Sequence, residues 1–370
     1  MLRLLVFVIG AFSSMPAFSQ QPPASEPPPP AVEPSPPPAA PAPSTESAAP
    51  ASNNGEQQRF EQFRRDLVSL LALRAEPDLL VAAAELAYPD ADDKNRAAQL
   101  KSPALMRRAQ KFGPDDALVA WIATFIGCGA DASTCRNDAA ARLQKIAPDN
   151  VAVWLPSLHA AQDPGQARAL LASMAQAQRF DDYWAASVLA VFDALQTLPV
   201  PAEVLSHGLN QVAARINLAT SVGGGFLPNY ARLGEMCRGN GVADEALTVD
   251  CLAVAKLLES GGSFRSQAIG FGIEDSLLPP GTARAVLKAR QRTSAWQKEQ
   301  FLEVSSRFPR DESLAKSYID LLREQGNELA TVTALLRRLH LPTEPESGWQ
   351  PESVTPVPSG DPRALPPAGH

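Results

Sequence analysis

The chain has 370 residues, 45% of them apolar, and a formal net charge of −7 at pH 7. That acidic balance excludes a protein that works by neutralising nucleic-acid phosphates, which takes a basic surface. The composition also holds four cysteines, as suits an exported chain, and 35 prolines that crowd towards the two ends.

Met1 to Ser19 reads as a secretory signal peptide. Arg3 supplies the positive end, Leu4 to Phe12 the apolar centre, and Ala17-Phe18-Ser19 a small-x-small cleavage site before Gln20. The apolar run is shorter than the roughly 20 residues of a spanning helix, so no transmembrane segment is expected in the mature chain. A periplasmic or secreted location follows. Residues 20–54 are then expected to be a disordered proline-rich linker. Thirteen of the residues from Gln20 to Ser52 are proline, with few apolar side chains to offset the entropy of ordering. Runs such as Pro27-Pro28-Pro29-Pro30 also suit an aromatic groove, although a plain spacer is the simpler expectation.

Residues 55–341 carry the helical periodicity. Phe60, Phe63, Leu67 and Leu70 mark an opening amphipathic helix, a second follows Pro77, and a third ends near Phe112 with Leu105 and Ala109 on its face. Pro114-Asp115-Asp116 and Pro148-Asp149-Asn150 stand 34 residues apart, and an apolar pattern with a tryptophan, Trp121 or Trp154, follows each. A recurrence of roughly that length is the period of a helix–turn–helix repeat. Asn150 is a good N-cap, and Val151, Trp154, Leu155 and Leu158 form one face after it. Asp163 caps the next helix, Pro164 opens it, and Ala167, Leu170, Leu171 and Met174 repeat the face. Only Ala161 and Gln162 join the two, which requires an antiparallel pair.

This pair resembles a tetratricopeptide repeat. Pro148 matches the family's closing proline, Trp154 the bulky first-helix position and Ala177 a small second-helix position. Leu158 departs from the pattern where a small residue is usual, as does Asp182 where the next closing proline would stand. The resemblance implies an all-α fold, an α-solenoid of antiparallel helix pairs flanked by disordered proline-rich arms.

Further helices are expected over Asp181 to Gln196 and Pro201 to Thr220. Gly223-Gly224-Gly225 interrupts the pattern, so 220–228 is expected to be a non-helical hinge. Helices resume at about Asn229, Asp244, Phe264, Gly281 and Asp311, and the last pair is split at Gly326. No alternating β-branched segment suggests a strand. A disordered tail with eight prolines is expected over 342–370.

Two local disulfides are expected, Cys128–Cys135 and Cys237–Cys251, each stapling a helical hairpin; spacing alone also permits the other pairings. No C-x-x-C is present and no histidine lies near a cysteine, so neither a metal site nor a cofactor site is expected. Ser313-Leu314-Ala315-Lys316 matches S-x-x-K, but K-T-G and S-D-N are missing and Leu314 reads as core. His159 and His207 read as structural. The glycine triplet lacks the Gly-Lys-Ser/Thr of a phosphate loop.

Glu259-Ser260, followed by Phe264, Gly270, Pro280 and Thr282-Ala283, loosely resembles the catalytic stretch of soluble lytic transglycosylases. That resemblance implies Glu259 as a general acid in glycan cleavage. The family's Met-Gln pair and aromatic glycan groove have no counterpart here. Finally, Arg284, Lys288 and Arg292 recur at i, i+4 and i+8 and form one basic stripe if helical. A solvated helix face is the plain reading of the stripe; the sharper one is a contact surface for another envelope protein or an anionic envelope component. The sequence thus points to an exported, non-catalytic, protein-binding scaffold of the cell envelope. A peptidoglycan-binding or lytic-transglycosylase-like wall protein is the alternative.

Overall fold

A computed structural model describes residues 53–88, 96–127, 132–202, 205, 208–238 and 244–351. Residues Glu56–Pro351 form one compact unit. The signal-like segment, nearly all of the N-terminal arm, Cys128, His207 and the tail from 352 lie outside the described residues.

The described residues are all-α. Fifteen α-helices run α1 Asn53–Leu71, α2 Pro77–Ala87, α3 Arg96–Phe112, α4 Ala117–Ile126 and α5 Ala132–Ile146. Then come α6 Leu155–Ala160, α7 Pro164–Ala175, α8 Trp184–Ala194, α9 Gln211–Gly223 and α10 Ala231–Arg238. The last five are α11 Glu245–Glu259, α12 Phe264–Leu277, α13 Thr282–Ser305, α14 Glu312–Gln325 and α15 Glu328–Arg338. One isolated parallel bridge, Asn150 to Arg179, is the only β pairing among the described residues. No described helix is long and apolar enough to cross a membrane.

The helices begin where short polar side chains can close the first turn. Asp116, Asn150, Asp163, Asn210, Asp244, Ser263, Asp311 and Asn327 each accept a hydrogen bond from an amide two or three residues on. Each such cap is worth about 1 kcal/mol. Gly326 ends α14 in the left-handed region, at φ 68°, which glycine adopts without a Cβ penalty.

Successive helices pair, as in α2–α3, α4–α5, α8–α9, α11–α12 and α14–α15. Contacts between distant elements cross these pairs: α2 packs on α8, α7 on α11 and α9 on α14. These contacts add cross-packing to that of neighbouring hairpins. Trp121 of α4, fully buried, donates from Nε1 to the Phe226 carbonyl 3.2 Å away, across 105 residues. Its ring meets Phe125 and Tyr183, and Phe226 lies edge-on to Tyr88 and Phe125.

Several local expectations need correction. The glycine segment is helical: α9 runs through Gly223 and a 3₁₀ turn covers Gly224–Phe226. A Cβ at Gly223 would lie 2.8 Å from Ser187 Oγ and 3.0 Å from Val188 N. That glycine therefore serves close packing of α9 on α8. Helix α9 starts at Gln211 rather than at Pro201; Asn210 caps it, and its Nδ2 also donates to the Phe308 carbonyl at 2.7 Å. On α1 the inward face is Phe63, Leu67, Val68 and Leu71, whereas Leu70 is exposed. Val151–Trp154 is a 3₁₀ turn before α6. Residues 342–351, expected within the tail, lie along α13, where Trp296 Nε1 donates to the Pro342 carbonyl and Gln297 Nε2 to that of Thr343, both at 3.0 Å.

Candidate functional site

Two of the features singled out in the sequence, Glu259 and the basic stripe, come together where α11, α12 and α13 pack. Gly270 of α12 brings two backbones together: a Cβ there would lie 2.5 Å from the Ala255 carbonyl and 3.0 Å from Glu259 N. Glu259, at the end of α11, is consequently held inside, 8% exposed. Glu274, one helical turn beyond Gly270 on α12, is 1% exposed. Arg290 reaches down from α13 and pairs with both, with Glu259 through Nη1 and with Glu274 through Nη2 at 2.6 Å. Burial first, then the Glu274 carboxylate beside it, pushes the Glu259 carboxyl up to about 8, against the pull of Arg290. Glu259 is thus shifted in the direction a general acid needs. It lies under a guanidinium and in a helix junction, whereas a glycan would have to reach it through a groove.

The basic stripe takes a related form. Helix α13 places Arg284, Lys288 and Arg292 on successive turns, as the spacing required. Arg284 and Lys288 share one acceptor, Asp275 of α12, at 3.7 and 3.0 Å. Two cations on one anion leave the stripe positive, while fixing two of its side chains against the body. Nε of Arg292 is buried and has no hydrogen-bond partner among the described residues.

Cys237, at the end of α10, and Cys251, on the second turn of α11, form a disulfide with a Cα–Cα distance of 5.6 Å. Both are buried. The Cys128–Cys135 pairing cannot be placed, because Cys128 is outside the described residues; Cys135 lies inside α5. In the S-x-x-K match, Lys316 Nζ pairs with Glu312 at 2.7 Å and Leu314 is core, so the lysine is engaged away from Ser313. His159 is exposed on α6. Among the described residues no group of three or more His, Cys, Asp or Glu side chains is arranged to hold a metal ion. An open groove of about 660 Å³ runs beside Asp115, Asp138, Arg142 and Lys145, far in sequence from Glu259.

Sequence reasoning missed three further carboxyls withdrawn from water: Glu85 and Asp182 are buried and Glu328 is half-buried. Glu85, 3% exposed on α2, accepts from Ser187 Oγ at 2.6 Å, and burial pushes it up to about 8. Asp182 accepts from Ser263 Oγ at 2.7 Å and is pushed up to about 6, again by burial. Glu328, raised to about 7 by burial, accepts from the Phe264 amide at 2.9 Å. The last two join the loop before α8, the start of α12 and the start of α15. One signal was available for Glu85: it is the only charged residue of Leu79–Leu86, an otherwise apolar run.

Comparison with protein-family models, with curated proteins and with solved structures finds no match to this chain.

Proposed function

We propose that this chain is an exported, non-catalytic scaffold of the cell envelope. In this reading a solenoid-like array of helical hairpins carries a binding surface between proline-rich arms. The observation that carries it is the condition of Glu259. The one glutamate placed to resemble a catalytic acid is buried and ion-paired beneath Arg290, and its unpaired oxygen Oε1 is shielded from solvent. Export is supported by the signal-like N-terminus and by the Cys237–Cys251 disulfide, which persists in oxidising compartments. The surface that suits an acidic protein or an anionic envelope component is the Arg284, Lys288, Arg292 stripe, positive within a chain of net charge −7.

The wall-enzyme alternative keeps one supporting observation: the Glu259 carboxyl is raised into the range of a working general acid. One pair of experiments separates the two. The full chain is incubated with purified peptidoglycan beside its Glu259→Gln variant. Separately, binding of the wild type and of the Arg284→Gln, Lys288→Gln, Arg292→Gln triple variant to anionic vesicles and to cross-linked envelope partners is measured at low and high salt. The scaffold reading expects no soluble glycan from either chain, and a weaker, flatter salt dependence for the triple variant. Glycan release that Glu259→Gln abolishes would replace it with the enzyme reading. Equal affinities and salt slopes would remove the stripe as the contact surface.

A further inference from the structure

The middle of α13 is covered by an irregular piece of the same chain, residues 341–349. Between Leu341 and Glu346 exposure alternates residue by residue: Leu341, Thr343 and Pro345 are half-buried, whereas Pro342, Glu344 and Glu346 are exposed. The segment bends at Thr343 and Glu344 and turns at Ser347 and Gly348, so it is held on the surface through its carbonyls rather than as a strand. The surface reads its carbonyls. Trp296 Nε1–H donates to the Pro342 oxygen and Gln297 Nε2–H to the Thr343 oxygen, each at 3.0 Å. Thr293 Oγ1 donates to Glu344 at 2.7 Å. Trp349 closes the contact, its ring edge-on to Trp296 with centroids 5.2 Å apart. An indole N–H and a glutamine amide aimed at consecutive carbonyls beside an aromatic face are what a polyproline II ligand requires. Such a strand has no internal hydrogen bonds, its prolines have no N–H, and its carbonyls stand free to accept. Pro342 and Pro345 have the P-x-x-P spacing of those ligands.

We propose that the Thr293–Trp296–Gln297 face of α13 is a recognition site for extended proline-rich peptide. Residues 341–349 fill it as a tethered stand-in, and a proline-rich segment of another polypeptide displaces them. The tether sets the threshold: the resident segment competes at high effective concentration, so an incoming ligand must supply more prolines or a second contact. This site uses side chains other than the basic stripe, and each is tested by its own variants.

The test uses the full chain with its resident segment loosened by Trp349→Ala and Glu344→Ala. Two synthetic peptides are titrated in, one of the sequence Leu341–Trp349 and one of the sequence Pro27–Pro41, which supplies P-x-x-P three times without overlap at Pro27/Pro30, Pro34/Pro37 and Pro38/Pro41. The readout is the NMR shift of the Trp296 indole N–H. Both peptides are expected to bind the loosened chain roughly tenfold more tightly than wild type, which is what one ring pair and one hydrogen bond amount to. Adding Trp296→Phe, which keeps a ring and removes the donor, should weaken both at least tenfold while the helical circular dichroism stays unchanged. Gln297→Ala repeats the test if the phenylalanine variant is less well folded. No shift with the Pro27–Pro41 peptide at millimolar concentration would overturn the proposal, leaving a tether only. Binding that ignores both Trp296→Phe and Gln297→Ala would overturn it as well. So would concentration-dependent dimerisation of the loosened chain that Trp296→Phe abolishes, since the ligand would then be a second copy's own segment.

Discussion

Replacing Glu85 by glutamine tests how this body tolerates a carboxyl in its core. Glu85 is 3% exposed, accepts one hydrogen bond from Ser187, and Oε2 has no partner among the described residues. Its pKa is about 8 in the folded chain against an ordinary 4.5. The unfolded chain therefore releases this proton near 4.5 and the folded chain only near 8. Between those values the folded state binds more protons, so stability falls as pH rises; the contribution is complete below 4.5 and lost by about 8. Carried through the two titrations, the loss between pH 5 and pH 8 is on the order of 3 kcal/mol. Glutamine keeps the shape and the acceptor for Ser187 but does not titrate. Chemical denaturation of wild type and Glu85→Gln at both pH values should show similar stabilities at pH 5 and a variant more stable by about 3 kcal/mol at pH 8. Curves that stay parallel from pH 5 to pH 8 would refute the reasoning, for they would mean that water or a cation reaches the carboxylate.

Four other outcomes follow from named contacts. Reducing Cys237–Cys251, or changing both to serine, should cost about 3 kcal/mol, because the bond closes a loop of 14 residues; a denaturation midpoint unmoved by reductant would contradict this. Gly223→Ala should destabilise by about 1–3 kcal/mol through overpacking against Ser187 and the Val188 backbone, whereas a hinge glycine would accept alanine freely in a thermal melt. Trp121→Ala empties a fully buried site and frees the Phe226 carbonyl, with an expected loss of about 3–5 kcal/mol by urea titration. Arg290→Ala should cost about 1–3 kcal/mol, less than for a sealed ion pair because the arginine is 42% exposed, while Glu259→Gln should fall within about 1 kcal/mol of wild type. A reversed order of those two variants would mean that Glu259, rather than the guanidinium, holds the cluster together.

The candidate site was half legible in the sequence. The i, i+4, i+8 spacing of Arg284, Lys288 and Arg292 fixed their common face as soon as α13 was helical. Their acceptor could not be read, because Asp275 lies 9 residues before Arg284 and 13 before Lys288, beyond the turn that folds α12 back. Glu259 was visible as a residue but not as a buried one. Its burial depends on Gly270 letting α12 approach, and a glycine in a helical pattern does not announce which neighbour it admits. The glycine triplet misled for the same reason, since what reads locally as a break is at Gly223 a close contact with α8.

What the sequence determined by itself is the helical class and those helix starts that carry a local cap. Asp163 before Pro164 and Asp311 before Glu312 act within one turn, through a side chain and an amide three residues apart. No distant partner is needed, so the information is complete locally. The face that each helix buries, the pairing of α2 with α8 and α7 with α11, the seating of 341–349 on Trp296 and the raised carboxyls of Glu85, Asp182 and Glu328 were decided by the tertiary structure. They depend on which surfaces meet after the turns have been made, and on how far water is excluded there. Both are properties of volume and long-range packing, and a period of 3.6 residues carries neither.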